Sequence, residues 1–206
     1  MVGVGTLAGA GVRDVLELWS GLGYNRRALA LRAAAGVVAE SGWPSDLTQL
    51  PGVGPYTAAA VSSFAFDHQV AAVDTNVRRV LSRRDGVVRT PGALAVRAGE
   101  LLPAGRAATF NQAMMELGAT VCRPRAPRCG DCPVAAGCHG PLTIAQRRAP
   151  APRFEDTDRW ARGRILAALL AGLELPVEGE RRERALAGLE RDGLIVRGTD
   201  GSAFLP

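Results

Sequence analysis

The apolar positions of the chain fall into short runs at helical spacing. Residues 13–19 carry Leu16 and Leu18, and residues 26–40 carry Ala28, Leu31, Ala35 and Val38, which suit a 3.6-residue period. The connector SGLGYN between them holds two glycines and interrupts the pattern. A Pro/Gly break in GWPSDLTQLPGVGP precedes a helix from about Tyr56. Further helices are predicted over 75–84 and 93–102, and another through TFNQAMMELGATVC. HQVAAV is ambiguous, and nothing around it shows the repeated alternation of a sheet protein. Residues 1–140 therefore read as nearly all-α. RRAPAPR, 147–153, reads as a Pro/Arg linker. After it, 157–172 and 179–192 read as helices and GLIVRGTDGSAFLP as a hairpin turning at TDG. Two helices and a hairpin suggest a small winged-helix-like module, or an α/β appendage that packs on the rest.

Composition narrows the picture. A chain of 206 residues suits one domain, or one domain with a small appendage. At 47% hydrophobic and 5% aromatic, its core is aliphatic. The formal charge is +5, with 14 arginines against 10 acidic residues in 1–140 and 11 against 10 in the remainder. That excess favours a polyanionic partner, with ordinary surface charge as the plain alternative. All 25 basic residues are arginine. No side-chain amine is therefore present to form a Schiff base. The start, MVGVGTLAGAG, lacks a charged leader, and the run ILAALLAGL is too short to span a bilayer. The expectation is a soluble cytoplasmic protein with no membrane partner.

The four cysteines lie together: Cys122, Cys129, Cys132 and Cys138, spaced C-x6-C-x2-C-x5-C within 17 residues. Disulfides are disfavoured in a reducing cytoplasm. A zinc site usually shows two close pairs, and here there is one C-x2-C. A four-thiolate iron–sulfur cluster fits the spacing better, with a zinc module as the alternative. Arg123, Arg125 and Arg128 lie in the first loop of this segment. Presented by a rigid cluster they could contact phosphates without reading sequence; otherwise they are solvated surface.

In LPGVGPYTAA, the residues Gly52, Val53 and Gly54 form a tight turn before a helix. Glycine allows positive φ and close backbone approach. Amides at the turn and the helix N-terminus can then hold a phosphate. A lone G-x-G is often just a turn. Framed as L-P-G-V-G before an Ala-rich helix, it points to a helix-hairpin-helix clamp on the DNA backbone.

Taken in order, L-P-G-V-G, V-D-T-N-V-R-R-V-L, F-N-Q-A-M-M-E-L-G-A and the cysteine spacing resemble the helix-hairpin-helix base-excision glycosylases. LWSGLGY and FNQAMMELGA point within that superfamily to the MutY-type adenine DNA glycosylases, over residues 7–140. The resemblance implies a mainly α endonuclease III-like fold. Residues 1–107 would be a helical-barrel portion with the hairpin, 108–140 a cluster segment, 141–153 a linker and 154–206 a C-terminal appendage. It implies a [4Fe–4S] cofactor and a monomer in the nucleoid, acting on double-stranded DNA with 8-oxoguanine:A or G:A mispairs. Asp74 corresponds to the family's catalytic aspartate, which stabilises an oxocarbenium-like sugar or captures C1′. Its plain reading is a helix cap, and both roles can hold. Asn76 matches a residue that orients this site. Tyr56 and Gln112 match positions lining the adenine pocket. Tyr24 matches the aromatic that wedges into the duplex beside the lesion. Asn25 stands where a second tyrosine is common, so stacking there differs. Tyr56 also occupies the place of the amine nucleophile of the endonuclease III-like lyases. Hydrolysis to an abasic site is therefore expected, without strand cleavage.

Two family features are missing from these residues. The general-acid glutamate, in a motif of the form E-V-M-L-Q-Q-T, does not occur, and TLAGAGVRDVLELW already corresponds to the segment after it. Glu17, Glu40, Glu100 and Glu116 read as structural or solvated. The expectation is a chain whose start lies after the acid helix, inactive or very weak as written. A non-catalytic DNA-binding protein is the alternative. The residues after 140 are also too few and too helical for a MutT-like β-rich domain, which leaves the reading of the opposite base to the main domain.

Overall fold

The computed structural model describes residues 3–141 and 152–206, so most of the expected linker at 141–153 lies outside the described residues. In chain order the helices are α1 Val4–Gly9, α2 Val12–Leu18, α3 Arg26–Ser41, α4 Pro55–Phe66, α5 Thr75–Asp85, α6 Pro91–Glu100, α7 Ala107–Glu116, α8 Asp158–Ala171 and α9 Gly179–Arg191. Strand β1, Val196–Arg197, pairs antiparallel with β2, Ala203–Phe204. The mainly helical expectation holds. One helix was not foreseen, the six-residue α1, which buries none of its residues fully. Three glycines in VGVGTLAG hide it from propensity. The guanidinium of Arg32 on α3 helps hold it, donating to the Ala10 carbonyl at 2.6 Å just beyond its end.

The chain forms two compact units. The first comprises residues 3–45, 49–52 and 152–206. Its core joins the start of the chain to its end: Val15, Leu16 and Ala28 pack with Ile165, Leu166, Leu186, Leu189, Leu194 and Ile195. The helices here carry local stop and start signals. Thr157 caps α8 by accepting from the Trp160 amide at 3.3 Å, and Gly172 ends it in the left-handed conformation.

The second unit comprises residues 46–48 and 53–141 and holds α4–α7. Val77 and Leu81 of α5 pack with Leu94 and Ala98 of α6, and Met114 and Met115 of α7 lie against them. A buried asparagine closes the packing. Asn111 Oδ1 accepts from the Ala72 amide, and its Nδ2 donates to Ser63 Oγ and the Val70 carbonyl, each at 2.9 Å. The extended segment ahead of α5 is thereby fixed between α4 and α7. Past α7, Leu117–Val121 form one π-helical turn, a local widening that recurs at functional sites.

Candidate active site

Asp74 stands at the N-terminus of α5. Its Oδ1 accepts from the Val77 amide at 2.7 Å, and its Oδ2 accepts from Asn76 Nδ2 at 2.9 Å. The carboxylate is thus a helix cap and is held by a second donor as well. It lines an open cavity of about 710 Å³, walled by Pro55, Tyr56 and Ala59 of α4 and by Pro91 and Leu94 of α6. The cavity is within the size range of small-molecule clefts. Asp74 is the one carboxylate lining it among the described residues. Tyr56 is part of this wall and is half-exposed, with its hydroxyl 3.8 Å from the Met115 sulfur. Gln112 is not among the lining residues; its amide donates to Glu116 at 2.8 Å on the surface of α7.

The site is tied to the cysteine segment by residues that sequence reasoning did not single out. Arg79 sits one turn beyond Thr75. Its Nη2 donates to Asn76 Oδ1 at 2.7 Å and to the Gly118 carbonyl at 2.6 Å, and its Nε donates to the Cys122 carbonyl at 2.8 Å. A continuous hydrogen-bonded path therefore runs from Asp74 through Asn76 and Arg79 to Cys122. Burial pushes the Arg79 guanidinium below its ordinary value, partly offset by Cys122 and Asp74. One turn later, Arg83 donates to the Arg123 carbonyl at 2.8 Å, to the Pro124 carbonyl at 3.2 Å and to the Cys122 sulfur at 3.5 Å. Only the i, i+4 arginine spacing in VRRVLSRR hints at this in the sequence. The packing is close: a Cβ at Gly118 would lie 2.5 Å from that of Asn76.

All four cysteines line one cavity of about 110 Å³ beside Arg83. The sulfurs meet donors: Arg83 at Cys122, and the Gly140 amide at Cys138, 3.4 Å away. No group of three or more His, Cys, Asp or Glu side chains among the described residues is placed to hold a single metal ion. Four thiols around one cavity, with donors aimed at sulfur, fit a multi-iron cluster. In the loop between the first two cysteines, Arg123 donates to the Ala126 carbonyl at 3.0 Å, and Arg128 pairs with Asp131 at 2.7 Å. Arg125 is exposed.

The turn before α4 has the predicted character. Gly52 has φ +75, and a Cβ there would approach that of Ala30 to 2.5 Å. Gly54 begins α4 in an extended conformation with Pro55 at the first helical position and no side-chain cap. Gly52 and Gly54 are both exposed and Val53 is half-buried. Tyr24 lies in the other compact unit, 61% exposed, and has the left-handed φ of +49. Trp19 Nε1 donates to the Gly23 carbonyl at 2.8 Å and pins this turn.

Comparison with known proteins agrees with this geometry. A family profile described as HhH-GPD superfamily base excision DNA repair protein matches residues 1–101. The chain is 41% identical to the adenine DNA glycosylase of Mycolicibacterium smegmatis, over 94% of this chain and 74% of that one. It is 42% identical to the adenine DNA glycosylase of Mycobacterium tuberculosis, over 97% of this chain and 74% of that one. Its fold resembles that of a thermostable thymine-DNA glycosylase, with a TM-score of 0.62, 31% identity and coverage of 67% and 69% of the two chains. With the helices, the hairpin turn and the capped aspartate in place, the chain belongs to the adenine DNA glycosylases of the helix-hairpin-helix base-excision superfamily.

Proposed function

We propose that the chain acts on adenine mispaired with 8-oxoguanine or guanine in double-stranded DNA, breaking the N-glycosidic bond by hydrolysis. The observation that carries this reading is Asp74: a carboxylate fixed by two donors and facing a cavity walled by Tyr56. As the C1′–N9 bond breaks, its electron pair leaves with adenine and positive charge grows on the sugar. Asp74 stabilises that charge or bonds C1′ transiently. Water then supplies hydroxide to C1′ and its proton goes to solvent, leaving an abasic site. Asn76 orients the carboxylate. Gln112 must exchange Glu116 for the base if it contacts adenine. Because the chain has no lysine, no side-chain amine can form an imine with the abasic sugar, and the strand is expected to stay intact.

Departure of adenine needs a proton, and Asp74 is the one carboxyl among the described residues that line the cavity. With that carboxyl alone, release by this polypeptide would be very weak. The same observation favours a second reading, DNA binding without turnover. Cys122, Cys129, Cys132 and Cys138 would hold the [4Fe–4S] cluster, which when bound cross-links four points of one short segment. Phosphates would rest on the free amides at the start of α4 and on Arg125, so that a monomer grips the strand. The test is incubation with an 8-oxoguanine:A duplex, followed by alkali or by borohydride. The reading expects traces of alkali-labile product above the protein-free control and no trapped adduct. A complete absence of product with tight DNA binding supports the second reading. A borohydride-trapped adduct contradicts both.

A further inference from the structure

The first compact unit contains a groove of about 720 Å³ to whose lining, Tyr24 apart, the glycosylase reading gives no role. One side is the Tyr24 turn with Arg26 and Arg27 at the start of α3; the other is α8, with Arg159, Arg162 and Arg164. Two acids also line it, and both are engaged. Asp192 pairs with Arg162 and lies 3.9 Å from Arg26, and Asp158 lies 3.6 Å from Arg184. Arg27, Arg159 and Arg164 are exposed, and none has an ion-pair partner among the described residues. The groove thus carries three uncompensated positive charges on an otherwise neutralised rim.

Its aromatic side is equally specific. The Arg159 guanidinium stacks 4.0 Å from the centre of the Tyr24 ring and donates to its hydroxyl at 3.1 Å. Arg164 lies 6.0 Å over the Trp160 ring. Flat cations beside the exposed Tyr24 ring and the half-buried Trp160 ring suit alternating phosphates and bases, and they exclude a cationic or a purely apolar occupant.

We propose that this groove takes the sugar–phosphate backbone of a DNA strand, making α8 a second DNA-contacting element whose Arg159 also positions Tyr24. The proposal rests on the DNA-binding reading above and assigns a role to the C-terminal segment. Each of Arg27, Arg159 and Arg164 then neutralises one phosphate and releases condensed counterions.

The test is the salt dependence of binding to a fluorescent duplex by the full chain and by Arg27→Gln, Arg159→Gln and Arg164→Gln. Arg164→Lys keeps the charge, and Arg191→Gln removes an equal charge from a position outside the groove. Each of the three glutamine variants should reduce the slope of log affinity against log salt by about 0.9. Arg164→Lys and Arg191→Gln should keep the wild-type slope. Wild-type slopes in all three groove variants overturn the proposal, as does an equal fall in Arg191→Gln. Loss of binding by the unsubstituted chain would instead overturn the DNA-binding reading on which it rests.

Discussion

At the scale of single residues, Asp74 is a helix cap to which we assign a chemical role as well, and substitution separates the two. Asparagine keeps an oxygen for the Val77 amide but removes the charge and the acceptor for Asn76 Nδ2, so Asp74→Asn should lower the melting temperature less than loss of the whole cap does. Alanine removes the cap as well and should cost about 1 kcal/mol, roughly 2–4 °C for a chain of this size, by thermal denaturation. Asn111 is a purely structural case. Asn111→Ala would strand the buried Ala72 amide and Ser63 hydroxyl, at about 1–3 kcal/mol for each buried group left unpaired. Asp74 was legible because an apolar run, a lone carboxylate and then T-N-V-R-R mark a helix start. Asn111 was not, because its role depends on a backbone segment some forty residues earlier lying against α7. The placement of Gln112 on the outer face of α7 beside Glu116 was equally beyond the sequence, which shows both residues but not which face turns inward.

At the scale of elements, the critical piece is the N-terminal turn of α5 against the π-helical turn after α7. Gly118 permits that approach, and Arg79 bonds across it. Gly118→Ala has no room for its methyl, so it should displace Asn76 and destabilise the fold by about 1–3 kcal/mol, as overpacked sites do. The measurement is denaturant unfolding, with the Asn76 side-chain amide resonances reporting the displacement. Arg79→Gln should loosen the same junction without a steric clash. The cysteine segment gives a separate test. Purified protein should show broad absorption at about 400 nm, and Cys132→Ser should lose it, as expected when one of four thiolates is removed. Most helices were readable from periodicity, and their ends from Gly, Pro, Thr and Asp. The π-helical turn was not, because FNQAMMELGATVC reads as one unbroken helix and only the packing of Gly118 on Asn76 reveals the widening. The hairpin β1–β2 was readable from TDG, whereas α1 was hidden by its glycines.

At the scale of the whole molecule, long-range contacts carry what local pattern does not. No periodicity signals that Val15 and Leu16 share a core with Leu186 and Leu194, since contacts between distant parts of the chain leave no local mark. Charge acts at this scale too. Asp85 is nearly buried and lies 2.9 Å from Arg97 and 2.8 Å from Arg89, joining the end of α5 to α6. Its hydrogen bond from Arg97, aided by the nearby positive charges, holds its carboxyl below the usual carboxylate range. The stability it contributes is therefore complete above the unfolded value of about 4 and is lost as pH falls through the lower folded value. Melting curves should show this acid-side loss, and Asp85→Asn should flatten it. The central claim is that the Asp74 carboxylate faces a sugar that becomes cationic, and it can be tested without turnover. The measurement is the affinity of the chain for two duplexes that differ only at the adenosine opposite 8-oxoguanine. One carries a protonated pyrrolidine sugar analogue there, and the other a neutral tetrahydrofuran. The account predicts about 10- to 100-fold tighter binding of the cationic duplex, the worth of one close charge pair, and loss of that preference in Asp74→Asn. Equal affinity for the two duplexes, or a preference that survives Asp74→Asn, would contradict it.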